Sequence, residues 1–594
     1  MMPMSAVVSR VHRVGCAAFI MIAVARPSES VRAQRAAASR SPVTTLADDY
    51  MTAYFARNPE LETFYGLGNA RHDHLTDNSI AALRAWERRE DQWYAALRAI
   101  DGKTLRGGDA VVHGLLVERL GASRQARVCR GELYPTEWVG TYAQLATIQP
   151  VGSDSLRRAA LARWAELPRL LDTAIANARQ GMRLGYTSPK AEVTRNLERL
   201  DNVLALPVDS SPFFDPAVRD STPAFRAAYD TLVRARIVPA LRRYRAFLAD
   251  EYLPAARTTI GISATPNGTA CYRAMIRSST TVDRDPRAVQ RLGLAEMDTI
   301  EREMRVLSAK VFGDTVLPRV YERLRSDSQY TFRTGEQIVA AADSAIARAK
   351  AAMPRWFGIL PKSDVHVEPF PAFLERSAPI GQYWAAPDDG SRTALYRVNT
   401  YEPAHRSRAM LEDVTFHEAI PGHHLQIAIA RERTSSHPVS RYLGTTAFSE
   451  GWGLYAEGLA DEMGLYSSDL SRLGMLSGES LRAARLVVDA GIHALGWSRQ
   501  RSIDYLTVHS MVSPAQAAAE VDRYISSPGQ ATAYMIGMLE IRRLRAKAKQ
   551  AMGQRFDIRA FHDRVLEDGS VTMPMLDAKI TRWIASRPER VSLR

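Results

Sequence analysis

The sequence predicts a mainly helical protein with one small antiparallel β-sheet beside the residues that carry its chemistry. Three observations predict this. Apolar residues recur with a 3.6-residue period from Thr44 to Asp250, as in SIAALRAWERREDQWYAALRAI, and again from Arg408 to the end. Between these stretches, residues 366–400 change to short alternating runs with several prolines and a DDG turn, the pattern of strands. Hydrophobic residues make up 46% and charged ones 24%, which suits a folded globular chain and argues against extended disorder. A chain of 594 residues exceeds what one core usually holds, so roughly two to four packed subdomains are expected.

At the N-terminus, Arg10 and Arg13 precede an apolar run from Val14 to Ala25, followed by small residues with cleavage points after Ala25 or Ala33. This is a secretory signal in outline, too short to span a bilayer comfortably. Residues 1–33 are therefore expected to be a leader, giving an exported protein with no stable membrane insertion after its removal. An uncleaved anchor and a misplaced start are the alternatives. Cys16 sits early in the apolar run, where a lipid-bearing cysteine would sit at its end. The mature chain then keeps Cys129 and Cys271; export permits a disulfide, and two free buried thiols are equally consistent with the sequence.

Residues 44–360 read as a helical region walling a cleft, with loops marked by PVDSSPFFDP and TTIGISATPNGTACY, and residues 361–594 as the catalytic region. The formal charge is +13, yet the arginines are spread among nearly as many acids, with no basic block, stripe or module. That composition describes a solvated surface rather than a nucleic-acid partner.

The chemistry concentrates in TFHEAIPGHHLQ, residues 415–426. Zinc hydrolases need two neutral imidazoles, a further ligand from elsewhere, an open position and a carboxylate beside the attacking water. In HExxH the i, i+4 spacing puts both imidazoles on one helix face. His417 and Glu418 fit, but position 421 is Pro, and the next imidazoles are His423 and His424. On an unbroken helix His423 would lie about 240° round from His417. Pro421 and Gly422 supply a distortion, so a looped-out or bulged helix is expected to return His423 to the metal. Further on, FSEGWGLYAEGL presents Glu450 and Glu457 two turns apart on one face.

HEAIPGHHLQ, FSEGWGLYAEGLADEMGLY from Phe448, RLVVDAGIHALGW from Arg485 and PGQATAYMIGMLEIRRLR from Pro528 together resemble the family called domain of unknown function 885, placed in the zincin clan of metallopeptidases. Weaker echoes, LPAARTTIGISATPNGTACY from Leu253 and DDGSRTALYRVNT from Asp388, extend the resemblance over most of the mature chain. It implies a zincin-like fold of gluzincin type, a Zn²⁺ cofactor and a peptide substrate. Related helical zincins place Gly immediately before the second His ligand, which favours His423 and leaves His424 behind the ligands or facing substrate. Glu450 follows His423 by 27 residues, matching the third ligand, and Glu457 then orients a His ligand.

Glu418 is the implied base. Tyr534, behind the loop containing Gln530, is the implied donor to the oxyanion, with a core tyrosine as the alternative. Arg485, Asp489 and His493 recur at i, i+4, i+8 and read as an ion-paired structural ladder, or else as a polar wall contacting substrate. Asn399 and Tyr401 close the sheet just before the metal helix, and either Gln382–Ala386 or Ala394–Asn399 is expected to hold a peptide by strand addition.

Three functions compete on the sequence. The first is a zinc peptidase for short peptides, and the second a zinc amide or ester hydrolase on another substrate. The third is a silent scaffold, against which Glu418 argues, because a scaffold has no use for a base.

Overall fold

The structure is a computed structural model that describes residues 40–135, 138–371, 375, 378–386, 393–433 and 437–586. The candidate leader and the DDG turn at 388–390 lie outside those residues. The described chain is mainly helical, as the 3.6-residue periodicity requires. Many helices begin where the sequence writes a cap: Ser79 accepts from the Ala82 amide, and Ser513 forms a reciprocal capping box with Gln516.

Three apolar cores organise the helices. One joins Val43–Leu120 side chains to Val439 and Leu443, and a second runs from Leu75 to Ala256. The largest gathers residues from Tyr272 to Trp583 and therefore continues across residue 360. The helices of this core that position the site are α1 (Gly268–Thr280), α2 (Pro286–Phe312), α3 (Arg408–Glu418), α4 (His423–Glu432), α5 (Thr446–Glu462), α6 (Asp469–Leu495), α7 (Pro514–Ser526) and α8 (Ala533–Met552). Helices α5 and α8 touch backbone to backbone. A Cβ on Gly451 would lie 2.5 Å from the Gly537 backbone, so only two glycines allow this approach. The crossing brings the first turn of α8, with Tyr534, alongside Glu450 on α5.

The sheet contains β1 (Val365–Pro369), β2 (Gly381–Trp384) and β3 (Ala394–Val398), in the order β1–β3–β2. It is mixed, which corrects the antiparallel expectation: β2 is antiparallel to β3, but β1 is parallel to it. Period-2 alternation reports which face a side chain takes and is blind to strand direction. With β3 in the middle, Ala394–Val398 is paired on both sides, and among the described residues β2 pairs with a strand on one side only. Among the described residues, no helix is long and apolar enough to cross a membrane. Cys129 and Cys271 form a disulfide with Cα atoms 4.7 Å apart, linking the turn after the Gly107–Ala126 helix to α1.

Candidate metal centre

Helix α3 ends at Glu418, and Ala419 leaves the helical region at φ −101°, ψ −103°. The Ile420–Pro421 peptide is cis, and α4 starts at His423. The segment is thus two helices separated by a four-residue break, rather than one bulged helix. Gly422 turns directly beneath the last turn of α3, where a Cβ would lie 1.9 Å from the His417 carbonyl oxygen and 2.4 Å from that of Phe416. The Trp452 indole N–H donates to the Pro421 carbonyl at 3.0 Å, tying the break to α5. As a result His423 faces back towards His417, with ring centroids 4.6 Å apart and planes at 82°.

Glu450, on α5, completes a triangle. The Nε2 atoms of His417 and His423 each lie 3.6 Å from the same Glu450 oxygen, Oε2, and the three donor atoms all fall within 4.8 Å of one another. Donors about 2.0–2.1 Å from a tetrahedral zinc ion lie roughly 3.3–3.4 Å apart, close to the two 3.6 Å edges that meet at Glu450 Oε2.

The surroundings fit the same ion. His417 Nδ1–H donates to Glu457 Oε1 at 2.7 Å, which leaves the Nε2 lone pair directed at the triangle. Glu457 is held in turn by Arg482 at 3.0 Å. Nδ1 of His423 is buried without a hydrogen-bond partner. Gly453 makes room for the His417 ring, since a Cβ there would lie 2.6–2.9 Å from its atoms. Burial opposes a charge on His417, but Glu450 and Glu457 flanking the ring outweigh it and push its pKa up to about 10. Burial likewise opposes charge on Glu450, and the two imidazoles overcome it, holding the carboxyl well below its ordinary value. The pocket therefore carries acids that call for a cation, and two imidazoles with a carboxylate are a zinc donor set.

Glu418 occupies the last position of α3, and its Oε2 accepts the Tyr383 backbone N–H from β2 at 2.8 Å. The carboxylate thus links the end of the metal-site helix to the outer edge of β2. Tyr534 is half-buried on the far side; burial and the Glu450 charge raise its hydroxyl pKa, so it remains a donor at neutral pH. Arg485 lies over its ring, 4.5 Å from the centroid. Gln530 sits beside Tyr534 and accepts from Arg523.

The remaining candidates have other partners. His424 Nε2–H donates to the Ser363 carbonyl at 3.1 Å, and Nδ1 accepts from the Tyr383 hydroxyl at 3.3 Å. Burial lowers its pKa to about 4. It faces away from Glu450 and holds the strand that meets Glu418.

Arg485, Asp489 and His493 do share one buried face of α6, but they do not pair with one another, which corrects the ladder. Arg485 reaches Glu520 on α7 at 2.9 Å. Asp489 accepts from the Tyr272 hydroxyl at 2.6 Å and the Gly529 amide at 3.0 Å. His493 accepts from the Ile262 amide at 3.1 Å and donates to the Tyr524 carbonyl at 3.0 Å. The face anchors three neighbouring segments, because a buried polar group bonds whatever packs against it. Asn399 donates to the Glu375 and Ala378 carbonyls and accepts from the Tyr401 amide, so it fastens a loop.

Four contributors escaped the sequence reading. Arg482 gave no signal, and the Tyr383 amide is a backbone group. Gly453 was visible as the second Gly of SEGWG. Asp413, one turn before His417 on α3, could have been found from i, i+4 spacing; burial and the nearby Glu457 charge push its carboxyl well above the ordinary range.

A family model described as "Bacterial protein of unknown function (DUF885)" matches residues 59–580. A crystal structure of a "putative lipoprotein" from Colwellia psychrerythraea is similar at TM-score 0.83 and 25% identity, covering 92% of this chain and 100% of that one. A Shewanella oneidensis "putative lipoprotein of unknown function" shares the fold at TM-score 0.75 and 18% identity, covering 91% of this chain and 100% of its own. No curated protein matches the chain. The family match spans most of the sequence, and the chain belongs to the DUF885 family.

Proposed function

We propose that this DUF885 protein is a zinc-dependent hydrolase of zincin type that cleaves short peptides, with His417, His423 and Glu450 holding the metal. The observation that carries the reading is the triangle itself: two imidazole nitrogens equidistant from one carboxylate oxygen, with Glu418 on the adjoining helix end. Bound zinc would supply Lewis acidity, polarising the scissile carbonyl and acidifying water.

The chain's own residues do the rest. Glu418 accepts the proton of the attacking water and passes it to the leaving amine. Tyr534, kept protonated beside Glu450, donates to the developing oxyanion. The outer edge of β2 offers its remaining backbone groups to an extended peptide, and the Tyr383 amide places that edge against Glu418. Glu457 fixes the tautomer and orientation of His417.

We further propose export. The signal-like N-terminus, the Cys129–Cys271 disulfide and two relatives described as lipoproteins all support an oxidising compartment outside the cytoplasm. The early position of Cys16 in the apolar run argues against its carrying a lipid.

Glu418→Gln tests the mechanism. The amide keeps the size and can still accept from Tyr383, but it cannot take a proton. Turnover of short peptides should fall by roughly 10²–10⁴ while zinc content stays at the wild-type level. Turnover within a few-fold of wild type would remove Glu418 from the reaction.

A further inference from the structure

Tyr534 stands second in α8, so its position is set where that helix begins. The beginning is one tight turn: Gly529 takes φ +79°, ψ −18°, Gln530–Thr532 make a short helical turn, and Ala533 continues into α8. Gly529 is the pivot. Its carbonyl accepts from the Thr532 amide at 3.2 Å and from the Thr532 hydroxyl at 2.6 Å. A Cβ on Gly529 would lie 2.8 Å from the Ile276 backbone nitrogen and 2.9 Å from the Met275 carbonyl carbon, so the turn lies directly on α1. Ala531, Thr532 and Ala533 are all buried. A shift of Gly529 is therefore carried along the turn to Tyr534.

Asp489, on α6, holds the pivot. Its buried carboxylate accepts the Gly529 N–H through both oxygens, at 3.0 and 3.3 Å, and the Tyr272 hydroxyl of α1 at 2.6 Å. The charged and titratable groups acting on it are Tyr272 and, from α7, Arg523, which itself bonds Gln530 and Glu520. Its helix neighbours are engaged elsewhere: Arg485 bonds Glu520 and covers the Tyr534 ring, and His493 bonds Ile262 and Tyr524. Burial pushes the Asp489 carboxyl up to about 7 against its donors, so the acceptor that holds the turn changes charge near neutrality. Protonation puts a hydrogen on one of the two oxygens that Gly529 uses and loosens the hold.

We propose that Asp489 is a positioning residue for Tyr534, fixing through Gly529 the turn from which α8 presents that hydroxyl beside Glu450. The inference rests on the peptidase reading for what Tyr534 does there.

Full-length, zinc-treated protein with 3-fluorotyrosine in place of Tyr534 reports the link without turnover. Its fluorine NMR resonance should move with pH, with a midpoint of about 7, and Asp489→Asn should displace the resonance and abolish that movement. In peptide turnover, Asp489→Asn should lower kcat about ten-fold with KM unchanged, because the hydroxyl acts only on the developing oxyanion. Combined with Tyr534→Phe it should lower kcat no further than Tyr534→Phe alone, whereas general structural damage would add. If Asp489→Asn does not fold, Tyr272→Phe takes one donor from the carboxylate while keeping the ring, and should shift the midpoint and lower kcat about three-fold. A resonance that is the same with and without Asp489→Asn at every pH, or losses that add in the double variant, overturns the positioning role. A resonance that follows Asp489 in a protein that turns over no peptide overturns the peptidase reading and leaves the positioning of Tyr534 standing.

Discussion

His417 and His493 are both buried, both lie on helices of the same core, and they prefer opposite charge states. His417 is pushed up to about 10 against its own burial, whereas burial pushes His493 down to about 4. The difference is in what surrounds each ring. Two carboxylates flank His417, while His493 bonds only a backbone amide and a backbone carbonyl. The convergence of α3, α4 and α5 therefore gathers carboxylates around its imidazoles, whereas the Arg485–His493 face of α6 holds other segments in place.

The largest expected effect separates adjacent imidazoles in the first region. His423→Ala removes one corner of the triangle and should weaken zinc retention against a graded chelator by more than about 100-fold. His424→Ala removes only bonds to Ser363 and Tyr383 and should stay within a few-fold of wild type. A reversal of that order would place the metal on the other side of α4. Glu457→Gln comes next, with an expected loss of about 10–100-fold in zinc affinity, because the ring it orients then has a weaker acceptor. Gly453→Ala should act through the same ring. The added Cβ must displace His417, so zinc should weaken by about ten-fold with the helix otherwise favoured by alanine. Undiminished retention in that variant would mean that the ring position is not what sets affinity.

The effect expected in the second region is read in stability rather than in zinc retention. The folded pKa of His493, about 4, lies below its ordinary 6.5, so the unfolded chain binds the proton more readily. The stability tied to its neutral form is complete above pH 6.5 and is lost as the pH falls through about 4, by an amount on the order of 3 kcal/mol. Urea unfolding at pH 7 and at pH 4.5 should show the decline, and His493→Gln should flatten it without changing zinc content. Zinc loss in His493→Gln would erase the distinction between the two regions.

The helical class was legible because 3.6-residue periodicity is a local property, and so were the three corners of the triangle, since Pro421 and Gly422 announced a break and SEGW marked an acid-bearing helix. The form of the break was less legible. Sequence shows that a helix cannot continue through Pro421; it does not show how many residues leave it, and the answer, Ala419 to Gly422, depends on Gly422 fitting under the His417 carbonyl. The parallel pairing of β1 was hidden because alternation is the same in either direction. Arg482 and the Tyr383 amide were invisible, because each acts through a contact across a long sequence separation. Helical spacing correctly put Arg485, Asp489 and His493 on one face but could not name their partners, which come from residues 262, 272, 520, 524 and 529.

The central claim is that His417, His423 and Glu450 form a zinc site, and elemental analysis of the full-length protein tests it most directly. Protein purified without chelators should carry about one zinc per chain, and the Glu418→Gln protein the same, while His423→Ala purified in parallel should carry almost none. Wild-type protein with no more zinc than the His423→Ala variant, after incubation with excess zinc and gel filtration, would contradict the account.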